Sequence, residues 1–97
     1  MKIKILESAK EDLKEGFYFY EFQERGIGNY FLEALSADIE SLRLFAGTHS
    51  IHFSKYYRLL SKKFPFAIYY RIEENEVKIY AVIDCRRDPA WVRRRLQ

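Results

Sequence analysis

The sequence has little of the residue types that mark several specialised classes of protein. Its 97 residues include one cysteine, one tryptophan, two prolines and four glycines. With Cys85 alone, no intramolecular disulfide can form, which favours a reducing compartment. No apolar run approaches the roughly 20 residues of a membrane span, and the charged segment 1–6 is too short for a signal peptide. We therefore expect a cytoplasmic protein with no membrane partner.

The residues of metal and cofactor sites are also scarce. His49, His52 and Cys85 provide at most three nearby metal ligands, whereas a structural zinc site uses four, and we expect both histidines to be solvent-exposed in a loop. Arginines after Cys85 could lower the pKa of its thiol, but a buried, inert cysteine at a strand end is the interpretation we favour. The turn at 26–28 lacks the further glycine and the preceding strand of a dinucleotide site. We expect no metal and no cofactor.

What the chain does contain is an ordinary globular composition with an uneven distribution of charge. Hydrophobic residues make up 48% and charged residues 32%, which is typical of one folded domain, here residues 1–97. Residues 1–48 carry six Lys or Arg and nine Asp or Glu, whereas residues 49–97 carry eleven and five. The basic half is expected to meet an acidic partner such as nucleic acid, a ribosome or an acidic protein segment. A solvated basic face without a partner is the alternative.

Hydrophobic periodicity predicts a strand, two helices, three further strands and a final helix. The predicted segments are 2–6 (strand), 9–24 and 29–45 (helices), 47–54 (loop), 57–61, 66–72 and 77–84 (strands) and a short helix that begins with Asp88 as N-cap and Pro89. A short turn between two amphipathic helices predicts an antiparallel helical hairpin. The fold class is therefore α+β, in the order β-α-α-β-β-β, with the hairpin on one face of a small, mainly antiparallel sheet and a short C-terminal helix.

Two local signals mark the start and the end of the first predicted helix. Ser8, followed three residues later by a glutamate, predicts a capping box at its start, and Gly26 is expected in the left-handed conformation after its end. Tyr18, Phe19 and Phe22 lie off the apolar face of this helix, so we expect them to pack on the next helix or to cover a partner.

The last two predicted strands form a hairpin around residues 73–76. In the expected register, the numbers of paired residues add up to 149. This register places Ile68 opposite Ala81 on the apolar side, which faces the helices, and Tyr69 opposite Tyr80 on the other side.

Basic residues interleaved with tyrosines near the C-terminal strands are the strongest functional signal. The basic residues are Arg58, Lys62, Lys63, Arg71, Lys78, Arg86 and Arg87, and the tyrosines are Tyr56, Tyr57, Tyr69 and Tyr80. Arginine forks hold phosphates and tyrosine rings stack on bases, and Lys and Arg can stabilise a phosphoryl transition state. The same residues could instead receive an acidic, initially disordered peptide of a partner protein. Residue types alone do not separate these alternatives.

The C-terminal segment adds Trp91 among Arg93, Arg94 and Arg95. An aromatic anchor among arginines is typical of a binding hot spot, although Trp91 could equally pack the last helix on the sheet. Five arginines in the final twelve residues indicate that this helix needs a partner to become fully ordered.

Three phrases of the sequence are SAKEDLKE, GIGNYFLEAL and RLLSKKFPFAIYYRIEENEVKIYAVIDCRRDP. With the order of elements, they resemble the RelE/ParE superfamily of toxins from bacterial type II toxin–antitoxin modules. The runs 64–71 and 86–89 carry most of this resemblance, which covers nearly the whole chain and is closer to the ParE-like than to the RelE-like branch.

The two branches imply different activities. ParE-like toxins poison DNA gyrase without an enzymatic site of their own, and this is the function that the resemblance favours. RelE-like toxins are ribosome-dependent endoribonucleases that cut mRNA. In that alternative the catalytic candidates would be Arg58, Lys62, Arg71 and Arg86. The C-terminal tyrosine of RelE-like toxins is absent here, and Asp84 or Cys85 stands where relatives often have a histidine.

Both branches imply a cognate antitoxin, encoded beside the toxin, that lays an acidic and apolar segment along the helical hairpin and the sheet. The basic C-terminal half and the aromatic residues Tyr18, Phe19 and Phe22 suit such a partner. The residues expected to contact the antitoxin or the cellular target are Arg58, Tyr69, Arg71, Tyr80, Arg86, Arg87, Trp91, Arg93, Arg94 and Arg95.

Overall fold

The computed structural model describes all residues, 1–97, as one five-stranded sheet and four helices. The helices are α1 (Glu7–Gln23), α2 (Ile27–Glu40), α3 (Leu42–Phe45) and α4 (Pro89–Leu96). The strands are β1 (Lys2–Ile5), β2 (Ser50–His52), β3 (Tyr56–Leu60), β4 (Phe66–Glu73) and β5 (Glu76–Asp84). Their order in the sheet is β1-β5-β4-β3-β2, with β1 parallel to β5 and every other pair antiparallel. The predicted α+β class, with its hairpin on a mainly antiparallel sheet, is confirmed.

The two long helices approach each other closely at a glycine of α1. Gly16 is buried, and a methyl group added to its Cα would lie 2.5 Å from Cζ of Phe31. Phe31 is fully buried, and its ring lies 5.2 Å from that of Tyr20 and 4.9 Å from that of Phe66. Burial of this aromatic cluster against the sheet, more than intrinsic helix propensity, stabilises the hairpin.

The turn between α1 and α2 is held by one carboxylate. Gly26 has a φ of 95°, which confirms the predicted left-handed conformation. The Glu21 carboxylate accepts the backbone N–H groups of Gly26 at 3.0 Å and of Gly28 at 2.9 Å. These N–H groups lie at the start of α2 and have no partner within the helix, so Glu21 caps α2 from the end of α1.

The capping box predicted at Ser8 is wrong. α1 begins at Glu7, directly after β1, with Leu6 as its N-cap and no side-chain cap. The Leu6 N–H donates to the carbonyl oxygen of Ile79 at 3.1 Å, so the chain is still paired with β5 as it enters the helix. The Ser8 hydroxyl donates to the carbonyl oxygen of Tyr80 at 2.9 Å. Ser8 therefore ties α1 to the sheet instead of capping the helix.

Two segments after α2 also differ from the prediction. The helix expected over 29–45 is interrupted at Ser41, whose hydroxyl donates to the carbonyl oxygen of Asp38 at 2.6 Å, and α3 follows as a separate turn. The loop expected over 47–54 contains β2, which pairs with β3 through a turn at Phe53 and Ser54, both with positive φ. Three residues are too few for strand alternation to be recognised in the sequence.

The register of β4 and β5 follows the prediction only near their connecting turn. The pairs from Tyr69 back to Phe66 are shifted by one residue of β5, so that Tyr69 lies opposite Ala81 and Ile68 opposite Val82. Tyr80 is the unpaired residue of this β-bulge. The predicted Tyr69–Tyr80 and Ile68–Ala81 pairs are therefore wrong, because the bulge turns Ala81 to the face away from the hairpin.

The sheet is buried on both faces. The residues that pack on the helical hairpin include Phe66, Ile68, Tyr70, Val77, Ile79 and Val82. The opposite face packs on α4, whose Val92 and Leu96 are buried, and this face includes Tyr56, Ala67, Tyr69, Ala81 and Ile83. Asp88 Oδ1 accepts the Ala90 N–H at 3.1 Å and confirms the predicted N-cap of α4. The expectation that α4 needs a partner to become ordered is wrong here, because its apolar residues at spacing four dock on the sheet.

The histidines are not freely exposed, contrary to the prediction. His49 Nδ1 is hydrogen-bonded to the Tyr70 hydroxyl, which also accepts the Gly47 N–H at 3.0 Å. His52 belongs to β2, and both histidines are half-buried. Burial lowers the pKa of His49, and burial together with the charge of Arg58 lowers the pKa of His52.

The lowered pKa values of these two histidines predict that the folded chain loses stability in mild acid. Their pKa values in the folded chain lie below the ordinary value of 6.5, so the unfolded chain binds protons first as the pH falls. Stability is fully present above about pH 6.5 and decreases as the pH falls below it. We expect the midpoint of thermal unfolding to be lower at pH 5.5 than at pH 7.5, with a smaller difference in His49→Gln. An unchanged difference in this variant would contradict a role for His49.

Candidate functional site

The tyrosines and arginines that the sequence singled out lie mainly on the sheet face that carries α4, which we call the α4 face. Tyr56, Tyr69 and Tyr80 belong to its apolar cluster, and Arg58 is the register partner of Tyr69. Tyr57 lies on the other face and stacks on Tyr70, with ring centroids 5.2 Å apart. Because α4 covers the middle of this face, the charged residues around it fall into separate groups.

The first group surrounds the carboxylate of Glu73. Arg71 Nε lies 3.2 Å and Lys78 Nζ 3.4 Å from its oxygens, and the Tyr80 hydroxyl donates to it at 3.0 Å. The Tyr80 hydrogen bond and these two cations hold the pKa of Glu73 below its ordinary value of 4.5. The Arg71 guanidinium lies 6.0 Å from the ring centroid of Tyr56 and 5.8 Å from that of Tyr80. One carboxylate and two aromatic rings therefore fix the orientation of Arg71.

The second group lines a cavity of about 190 Å³ between the sheet and the start of α4, which we call the Arg58 pocket. Its lining includes four of the predicted contact residues, namely Arg58, Tyr69, Arg87 and Arg93. Arg58 Nε is buried and has no hydrogen-bond partner. An unpaired buried donor of this kind costs about 1–3 kcal/mol.

The sequence did not identify His52 as a member of this pocket. β2 places it opposite Tyr56 and thus on the α4 face, where its ring lines the same cavity as Arg58. The Ser50 hydroxyl oxygen lies 3.0 Å from His52 Nε2. Ser50 and His52 are two positions apart and therefore lie on the same face of a strand. This spacing indicates the placement of His52 only once residues 50–52 are known to form a strand.

Arg86 and Cys85 lie in the turn that follows β5. Arg86 donates to both carboxylate oxygens of Asp84, at 2.9 and 2.7 Å, and this contact holds the pKa of Asp84 below its ordinary value of 3.8. Cys85 is exposed, and the prediction of a buried cysteine is wrong because the chain has already left the sheet at this residue. Desolvation nevertheless raises the pKa of its thiol, which is the opposite of what an activated nucleophile requires.

The arginines of α4 and the preceding turn have different surroundings. The Arg87 guanidinium lies 4.2 Å from the ring centroid of Trp91, and Trp91 packs at the edge of the apolar cluster beneath α4. Arg95 donates to both carboxylate oxygens of Asp12 at 2.9 and 2.7 Å. The same carboxylate accepts the Val82 N–H at 2.9 Å, so Asp12 joins α1, β5 and α4. Arg93 and Arg94 are exposed.

Lys62 is separated from the arginines of the α4 face. It lines a cavity of about 180 Å³ beside α2, together with Lys63 and the buried carboxylate of Asp38, which accepts the Ser61 hydroxyl at 2.6 Å. Lys63 Nζ lies 5.3 Å from the ring centroid of Tyr30. Lys62 is therefore apart from the other nuclease candidates. Of these, Arg71 is bound to Glu73, and Arg86 is bound to Asp84, a carboxylate that lines the Arg58 pocket.

A groove on the helical hairpin is the main apolar feature outside the α4 face. Its volume is about 450 Å³, and its lining includes Leu13, Phe17, Tyr18 and Leu32 with two lysines, Lys10 and Lys14. Tyr18, Phe19 and Phe22 are 49%, 51% and 88% exposed, although Tyr18 lines the groove together with Leu32 of α2. The expectation that these aromatic residues cover a partner stays a prediction.

Comparison with known proteins identifies the fold. A solved chain described as "Chromosomal ParDE TA system from P. aeruginosa" superposes with a TM-score of 0.80 at 16% sequence identity, over 87% of this chain and 95% of that chain. No protein family and no curated protein matches the sequence. The α+β fold of this chain is therefore shared with a chain of that system at the level of backbone structure.

Two further features bear on possible ligands and location. No group of three or more His, Cys, Asp or Glu residues is placed to hold a metal ion. None of the helices combines the length and the apolar character needed to cross a bilayer.

Proposed function

We propose that this chain is the toxin component of a type II toxin–antitoxin module of the ParE-like kind. In this proposal it acts in the cytoplasm, inhibits growth by poisoning DNA gyrase and is neutralised by a cognate antitoxin. The observation that carries the proposal is the backbone likeness to a chain of a ParDE system, with a TM-score of 0.80 over most of both chains. The sequence phrases that resemble the ParE-like branch support it independently.

The distribution of positive charge supports a binding role rather than catalysis. General acid–base chemistry needs the reacting groups within hydrogen-bond reach of one substrate position. Here Arg71, Arg86 and Arg95 are each bound to a different carboxylate. Arg93 and Arg94, in contrast, are exposed and form no ion pair within the chain, which suits cationic contacts with the target.

The hairpin groove is the surface that we assign to the antitoxin. An amphipathic helix that enters such a groove buries apolar residues at helical spacing, and Lys10 and Lys14 offer contacts to acidic residues on its flanks. Phe22 is 88% exposed, and its burial by a partner would contribute about 1.5–3 kcal/mol.

Brief induction of the chain without its genomic neighbour tests the proposed function. We expect incorporation of a labelled DNA precursor to fall within minutes, before that of a labelled amino acid, together with a DNA-damage response. Co-expression of the neighbouring gene should restore growth. Phe22→Asp should keep the toxicity but bind the antitoxin at least about tenfold more weakly, because the acidic side chain cannot be buried against it. Unchanged DNA synthesis during growth arrest would refute gyrase poisoning.

One observation favours a second function, that of a RelE-like ribosome-dependent mRNA endoribonuclease. The imidazole of His52 and the guanidinium of Arg58 line one pocket, which combines an acid–base group with a phosphate-binding group. In that case protein synthesis would fall before DNA synthesis. His52→Gln would then abolish mRNA cleavage and leave antitoxin affinity largely intact, whereas in a ParE-like toxin the same change acts only through binding.

A further inference from the structure

Of the three partly buried arginines of the chain, Arg58, Arg71 and Arg95, only Arg58 has no acidic partner. Arg71, Arg86 and Arg95 each lie within 3.2 Å of a carboxylate oxygen of this chain. Arg58 has no ion pair, and its Nε is buried without a hydrogen bond. The terminal nitrogens of Arg58 also have no hydrogen-bond partner within the chain, and unlike Nε they are not buried, so an external acceptor can bind there.

The surroundings of Arg58 favour an anion. Arg87 and Arg93 line the same pocket, and His52 faces it from β2. The pocket also contains one carboxylate, that of Asp84, but this group is already bound to Arg86 at 2.7 Å. The positive charge at Arg58 is therefore not neutralised from within the chain.

We propose that the Arg58 pocket binds one carboxylate, supplied by an acidic side chain of a partner protein. The pocket has a volume of about 190 Å³, and a cavity of about 150 Å³ admits benzene. It therefore has room for a propionate-sized group but not for a nucleotide. Its wall includes Phe53, Tyr69 and Val92. The methylene groups of a glutamate would pack against these residues while its carboxylate accepts the terminal N–H groups of Arg58.

The identification of the antitoxin as the source of this carboxylate rests on the proposed function, because an antitoxin is the acidic partner expected for a ParE-like toxin. The binding of a carboxylate by the pocket does not rest on it. A phosphodiester of RNA is the other anion that arginines bind, and the small, partly apolar cavity under α4 argues against it. The two sources can be separated with small probes and the isolated chain.

The test follows the His52 ring by NMR while the full-length chain is titrated with N-acetyl-glutamate N-methylamide at constant ionic strength. We expect saturable changes and a higher pKa of His52, because a bound carboxylate favours the protonated imidazole. The other charged or titratable groups that face this ring across the pocket are Arg58, Arg87, Arg93, Asp84 and Cys85. The glutamine analogue, N-acetyl-glutamine N-methylamide, should leave the spectrum unchanged.

Substitutions locate the binding site. Arg58→Gln should raise the dissociation constant at least about tenfold, whereas Arg25→Gln removes an equal charge from the exposed turn after α1 and should leave it unchanged. Thermal unfolding of each variant establishes that it is folded. If Arg58→Gln does not fold, Arg93→Gln serves instead, with an expected increase of about threefold or more.

Three outcomes would overturn the proposal. They are the absence of saturable binding, equal binding of the glutamate and glutamine analogues, and tighter binding of dimethyl phosphate than of the glutamate analogue. The last outcome would identify a phosphodiester site and favour the nuclease. Because all probes are used with the isolated chain, a failure here leaves the growth-arrest experiment unaffected, and a failure to poison gyrase leaves carboxylate binding intact.

Discussion

Gly16→Ala is expected to destabilise the protein by about 1–2 kcal/mol, although alanine is the better helix former. In an unhindered helix the same change would stabilise by about 1 kcal/mol. Here the new methyl group would lie 2.5 and 2.6 Å from two ring carbons of Phe31, and Phe31 is fully buried. Its ring cannot retreat without moving the rings of Tyr20 and Phe66, and overpacking of this kind costs about 1–3 kcal/mol or more.

Urea unfolding measures this effect, with Glu11→Ala as the matched control on the exposed side of the same helix. The control should change the free energy of unfolding by less than about 0.5 kcal/mol. In Gly16→Ala combined with Phe31→Leu, the smaller side chain makes room for the methyl group. The pair should therefore be less destabilised than the sum of the single changes, by more than about 1 kcal/mol. A Gly16→Ala variant as stable as the parent would contradict the close crossing of the helices.

Asp12→Ala is expected to cost about 2–4 kcal/mol, because one carboxylate joins three elements. The side chains of Asp12 and Arg95 are only 11% and 24% exposed. Removal of Asp12 leaves the Val82 N–H and the Arg95 guanidinium without their acceptor, and such losses cost more than the intact pair contributes. Arg95→Ala should cost less, about 1–2 kcal/mol, because Asp12 keeps its bond to Val82 and gains access to water.

Trp91 is the only tryptophan of the chain and lies on α4, so its fluorescence reports separately on the docking of this helix. We expect Asp12→Ala to shift its emission to longer wavelength, and Arg94→Ala, on the exposed side of α4, to leave it unchanged. The double variant Asp12→Ala/Arg95→Ala should be less destabilised than the sum of the single variants. Strict additivity would mean that the ion pair does not hold α4.

Docking of α4 also matters for the proposed carboxylate site. Val92 and Arg93 of this helix form part of the wall of the Arg58 pocket. A loosened α4 should therefore weaken the binding of the glutamate probe even though no residue of the pocket has been changed. The Asp12–Arg95 pair would then be a positioning contact for that site.

The sequence by itself determined the features that depend on neighbours within one turn of helix or one stretch of strand. Helical periodicity was sufficient to predict the hairpin. A glycine after the helix end predicted the left-handed conformation at 26, and the Asp88-Pro89 pair predicted the cap of α4. Each of these signals depends on residues close in the chain. Strand alternation was sufficient for the long strands β4 and β5. The basic and aromatic character of their outer face followed from the same alternation.

The tertiary structure decided the features that depend on distant partners. Asp12 and Arg95 are 83 positions apart, and no local pattern links them. β2 exists only because β3 pairs with it, and the bulge at Tyr80 moves Ala81 from one face of the sheet to the other, where α4 covers it. Arg71 and Arg86 pair with carboxylates only two positions away, whereas the partner of Arg95 is remote in the sequence. The packing of the sheet and of α4 determines the direction of each side chain, so that these carboxylates reach their arginines and none reaches Arg58.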